Sequence, residues 1–140
     1  MQMLLSLKLP AKLENLQKFM NSISDCARTE GFGQKRIDEI ELALEEVLVN
    51  IFNYAYPQSP GDVEVSCKLE AGRLIIEIID SGIPFDVTAR TDPDLTADVE
   101  ERKIGGLGIF LIRKMVDEVK YRRENDQNIL TLTVNKETNR

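Results

Sequence analysis

The sequence predicts one α+β domain spanning residues 1–140, a two-layer sandwich in which a mixed, mainly antiparallel sheet carries its helices on one face. Three observations lead there. Apolar and polar residues alternate with a period of two near the N-terminus, in the middle and near the C-terminus, as in half-buried strands. Between them lie segments with apolar residues at three- and four-residue spacing, as on one face of a helix. No internal repeat, low-complexity tract or linker divides the chain.

The elements follow in order. Residues 3–9 alternate as a strand and stop at Pro10. Residues 12–30 place Leu13, Leu16, Phe19, Met20, Ile23 and Ala27 on one helical stripe, which Gly31 ends. A second helix covers about 34–55 and stops before a loop holding Pro57, Pro60 and Gly61. Residues 62–69 and 73–79 form a hairpin across Ala71-Gly72. Residues 81–104 have no sustained period and carry Pro84, Pro93 and many charges, which reads as a mobile, functional segment. A third helix runs over about 108–118, and strands at 119–123 and 128–135 join through a turn at 124–127.

Composition removes several function classes. The chain contains no histidine, which excludes Ser-His hydrolysis, HExxH zinc chemistry and a phosphohistidine on this chain. A formal charge of -6, with basic residues in no dense block, argues against a nucleic-acid footprint. The N-terminus is too short and interrupted for a signal peptide, and no apolar run reaches the length of a membrane span, so a cytoplasmic protein is expected. Cys26 and Cys67 stand alone and read as unpaired thiols of a reducing compartment.

Chemistry then rests on three stretches. On the second helix, Ile37, Ile40, Leu44, Val47, Ile51 and Ala55 form the core stripe at about 100° per residue. Asp38, Glu41 and Glu45 share a solvated face, whereas Glu46, Asn50 and Asn53 share a third, bordered by Leu42 and Val49. An acid in apolar surroundings is costly unless something polar uses it. Glu46 and Asn50 therefore either hydrogen-bond to loops or serve as a base and as an oxygen ligand for a hard cation such as Mg²⁺.

Asp80 ends an apolar strand just before Gly82, where it either initiates a turn or accepts a hydrogen bond from an amine in a pocket, with Gly82 letting a flat ring approach. The run Gly105-Gly106-Leu107-Gly108 opens the third helix, so it is either a tight loop or an anion cradle of backbone N–H groups at a helix N-terminus. Lys103, close before it, is either a further contact to a phosphate or a solvated surface cation.

Taken in order, Glu46-x-x-x-Asn50, Asp80-x-Gly82 and Gly105-Gly106-x-Gly108 resemble the Bergerat or GHKL ATP-binding fold shared by gyrase, heat-shock-90 chaperones, histidine kinases and MutL proteins. The stretches 80–86 and 100–109 are particularly similar to the stand-alone anti-sigma-factor serine/threonine kinases. The resemblance implies ATP and Mg²⁺ as cofactors, with Asn50 on the metal, Asp80 on the adenine amino group and Gly82 lining the base pocket. It likewise assigns Gly105, Gly106, Leu107 and Gly108 to the phosphates, Glu46 to general-base catalysis and residues 87–104 to a lid over ATP. A threonine of the last strands, Thr131 or Thr133, is expected near the adenine.

The implied reaction is phosphorylation of a Ser or Thr on a STAS-domain anti-anti-sigma partner, with a sigma factor as a further partner and a homodimer as the assembly suggested by relatives. The alternative is a nucleotide-sensing module that sequesters a regulator without transfer. Two departures stand out: Pro84 replaces a second glycine after Gly82, and Tyr54 replaces a histidine common four residues after the asparagine.

Overall fold

The computed structural model describes residues 2–89 and 107–137. Strand β1 (Gln2–Pro10) leads through a 3-10 turn (Leu13–Asn15) into α1 (Leu16–Thr29) and α2 (Gln34–Tyr54). The hairpin β2 (Asp62–Glu70) and β3 (Arg73–Asp80) follows, then a 3-10 turn (Val87–Ala89), α3 (Leu107–Met115), and the hairpin β4 (Glu118–Glu124) and β5 (Gln127–Asn135). The strands form one sheet in the order β1-β2-β3-β5-β4. The mainly antiparallel sheet expected is antiparallel in every pairing among the described residues. The mobility expected for 81–104 falls largely on residues 90–104, outside the described residues.

Local chemistry explains the boundaries. Gly31 adopts a φ of 90°, its N–H bonds to Arg28 O and Phe32 N–H bonds back to Ala27 O, the paired bonds that close a helix through a left-handed residue. Phe32 then turns into the core. Both hairpins use two-residue turns with positive φ throughout, at Ala71 and Gly72 (51° and 77°) and at Asn125 and Asp126 (52° and 62°). Such turns match the right-handed twist of the flanking strands.

The core lies between the helices and one sheet face. Leu74, Ile76 and Ile78 of β3 stand opposite Val134, Leu132 and Leu130 of β5, and all are buried. Phe19 and Ile23 of α1, Ile40, Leu44 and Leu48 of α2, and Ile109 and Ile112 of α3 cover them. The same register continues by one polar step, so that Asp80 faces Asn128 on the helix side. Cys67 of β2 and Cys26 of α1 are free thiols, and burial pushes both above the usual thiol range. No helix among the described residues is long and apolar enough to cross a membrane.

Candidate nucleotide site

The site lies where the C-terminal half of α2, the ends of β3 and β5, and α3 meet. A cavity there is walled by Val47, Ile51, Ile78, Ile112 and Leu130, with Asn50, Asp80, Asn128 and Tyr121 as its polar groups. Tyr54 and Phe85 stack with ring centroids 6.5 Å apart and also line it. Apolar walls with a few converging polar groups suit a flat heteroaromatic ring.

Three of the residues singled out by sequence come together around α2 and α3. A methyl group built on Gly108 would stand 3.4 Å from Asn50 Nδ2 and 3.5 Å from Glu46 Oε2, so the N-terminal turn of α3 sits directly over both side chains. Ile109 and Ile112 hold α3 in that position by full burial against the core. Among the described residues, neither Glu46 nor Asn50 has a side-chain hydrogen bond or ion pair, so neither is spent on tying down a described loop. Burial, and secondarily the neighbouring charge of Glu45, hold the Glu46 carboxyl above the usual glutamate range. Glu45 itself is exposed, as the face assignment predicted, and so is Asn53.

Asp80 is buried at the end of β3. Its Oδ1 accepts from Gly82 N–H at 2.9 Å and from Asn128 Nδ2 at 2.9 Å. The residue closes a turn and also lines the cavity.

Packing alone requires a glycine at position 82. A methyl group there would lie 2.2 Å from Ala55 O and 2.6 Å from Ala55 Cβ, while Ile83 N–H donates to the same Ala55 carbonyl at 2.9 Å. The end of α2 fills the space where a side chain would go. Gly82→Ala is therefore expected to lose about 1–3 kcal/mol, because backbone rather than a flexible side chain must move. A fall in the urea midpoint is the measurement, and an unchanged midpoint would contradict the packing.

Thr131 and Thr133 are not brought to the cavity. They pair with Glu77 and Ile75 of β3 on the opposite sheet face, since Leu130, Leu132 and Val134 occupy the core positions of β5. The side chain that reaches Asp80 is Asn128, which sequence reasoning missed. Its signal was the parity it shares with Leu130, Leu132 and Val134. Lys103, Gly105 and Gly106 lie outside the described residues, and of Leu107 only the backbone, in the first turn of α3, is described.

Comparison with known proteins gives the family. Residues 9–134 match the histidine kinase-like ATPase domain, and the chain belongs to that family. Within it the chain is related to serine-protein kinases named RsbW. That of Listeria monocytogenes serovar 1/2a is 31% identical over 94% of this chain and 87% of its own length. That of Bacillus cereus strain AH187 is 27% identical over 90% and 81%. The crystal structure of the RsbU and RsbW domains of Rv1364c from Mycobacterium tuberculosis shares the fold, with a TM-score of 0.65 at 17% identity. The match covers 94% of this chain and 32% of that one.

Proposed function

We propose that this chain is an ATP-dependent serine/threonine protein kinase of the anti-sigma-factor type, acting in the cytoplasm on a STAS-domain anti-anti-sigma partner and able to hold a sigma factor. The observation that carries this reading is the Glu46 carboxylate. It stands beside Asn50 beneath the start of α3, partly desolvated and free of any described partner. A module that only sensed nucleotide would have no use for a base there.

The residues fit the proposed ligands. The Asp80 carboxylate has one oxygen committed to Gly82 and Asn128, which leaves Oδ2 as the acceptor for an exocyclic amine. Among the described residues no cluster of three acidic, cysteine or histidine side chains forms a metal cage. Mg²⁺ suits such a site because it is commonly held by one or two protein oxygens together with substrate phosphates, and Asn50 Oδ1 would be the protein ligand. When bound, the ion would neutralise charge on the transferred group.

Gly108, Leu107 and the preceding Gly105 and Gly106 would offer backbone N–H groups to the phosphates. Glu46 would accept the proton of the attacking serine or threonine hydroxyl, placed in line by the docked partner.

The test is incubation of the protein with Mg-ATP and its cognate STAS-domain protein. Phosphoserine or phosphothreonine on the partner is expected. Nucleotide binding without phosphate on any partner would instead establish the binding-module reading, in which ATP sets a conformation for sequestering a regulator.

A further inference from the structure

We propose that Asn128 is a positioning residue that makes the base end of the cavity selective for a 6-amino purine over a 6-oxo purine, an inference that rests on the nucleotide reading of the site. Asn128 is 6% exposed and lies opposite Asp80 in the β3–β5 register. A side-chain amide has two donors and two acceptor positions, and here all four are used. Nδ2 donates to Asp80 Oδ1 at 2.9 Å and to Ile83 O at 2.8 Å. Oδ1 accepts from Tyr121 OH at 2.6 Å and from Phe85 N–H at 3.3 Å.

The orientation of the amide is forced. Ile83 O can only accept and Phe85 N–H can only donate, so a flipped amide would set oxygen against oxygen and N–H against N–H. Two consequences follow for the cavity. Asp80 Oδ1 is saturated, so the carboxylate cannot swivel and presents Oδ2 as an acceptor. Both N–H donors of the amide are spent on Asp80 and Ile83, so the amide offers none to a 6-oxo group.

The same side chain holds the backbone of Ile83 and Phe85, and Phe85 supplies part of the ring-lined wall stacked on Tyr54. Acceptor and wall are thus set by one residue. A buried polar arrangement of this kind discriminates strongly, because the wrong ligand leaves its groups unpaired.

Binding of Mg-ATP and Mg-ITP, which differ in the 6-substituent, is to be titrated against the parent chain, Asn128→Leu and Tyr121→Phe. The parent chain is expected to prefer ATP by about ten-fold or more, and Asn128→Leu to weaken ATP about ten- to hundred-fold while changing ITP less than about three-fold. Tyr121→Phe removes only the hydroxyl that locks the amide and should narrow the ATP/ITP ratio in the same direction, which keeps the test decisive if Asn128→Leu does not fold.

Equal weakening of both nucleotides would assign Asn128 a purely structural role and overturn the proposal, as would an unchanged ratio in Tyr121→Phe. A parent chain that binds ATP and ITP equally, or neither, would overturn the adenine reading of Asp80 itself, a result distinguishable from the other two because it appears before any substitution is made.

Discussion

Glu46→Gln is expected to slow phosphoryl transfer to the partner by about 10²–10⁴-fold, the usual contribution of a positioned general base, while Mg-ATP still binds. Glutamine preserves the shape of the side chain beneath Gly108 and removes only its capacity to take a proton. Single-turnover transfer and a nucleotide titration on the same sample separate the two effects. Full transfer in the variant would remove Glu46 from the mechanism, and lost binding would make its role structural.

The pH dependence follows from the same residue. Burial, then Glu45, raises the carboxyl in the folded chain, so transfer should decline on acidification at a higher pH than for an ordinary glutamate. The stability effect has the opposite sense to that of a salt-bridged acid. The folded chain binds this proton more tightly than the unfolded one, so the contribution of Glu46 to stability is fully present below its unfolded pKa and is lost as pH rises through the raised folded value. Glu46→Gln, neutral throughout, is therefore expected to melt at a higher temperature than the parent near neutrality and with no such advantage in acid. If Glu46 is the proposed base, activity and stability oppose each other at this position.

Arg36→Ala is expected to destabilise the fold by about 3–5 kcal/mol, the cost of breaking a largely buried charge network by removing its central partner. Arg36 is only 4% exposed. Its Nε donates to Asn135 O at 2.9 Å, and Nη1 donates to Met115 O at 2.8 Å and to Glu39 Oε1 at 3.0 Å. Its Nη2 pairs with Asp117, whose carboxylate also accepts from Asn135 N–H at 2.7 Å.

One guanidinium thereby joins the start of α2 to the ends of α3 and β5. Because Met115 is the last residue of α3 and Gly108 lies in its first turn, Arg36 secures the far end of the helix that covers Glu46 and Asn50. Urea unfolding should show a large loss of midpoint in Arg36→Ala. Arg36→Lys should recover only part of it, since an ammonium cannot reproduce the planar fork of donors. A loss below about 1 kcal/mol, as for an exposed pair, would refute this account.

The residues that announced the site were those whose chemistry is unusual for their local position. Glu46 stood out because the helical period placed it away from Glu45 and Asp38, and Asp80 because it ends an apolar strand. Gly108 stood out because glycines opened a helix. Thr131 and Thr133, which the resemblance implied near the adenine, lie on the outer face because strand alternation in the same stretch gives the core positions to Leu130, Leu132 and Val134.

Arg36 carried no signal at all. On the helical pattern it is one more charged residue next to Lys35, and only the convergence of two carbonyls and two carboxylates from elements up to 99 residues away makes it interior.

Local rules were sufficient for the elements, the two hairpins, the Gly31 helix stop and the α+β class, since these depend on residues within a few positions of one another. Tertiary structure alone decided which polar groups meet. The antiparallel register set Asn128 against Asp80, the close approach of Ala55 made Gly82 obligatory, and the packing of α3 brought Gly108 over Glu46 and Asn50. Those outcomes depend on how separate elements dock, and no periodicity within one element records the position of another.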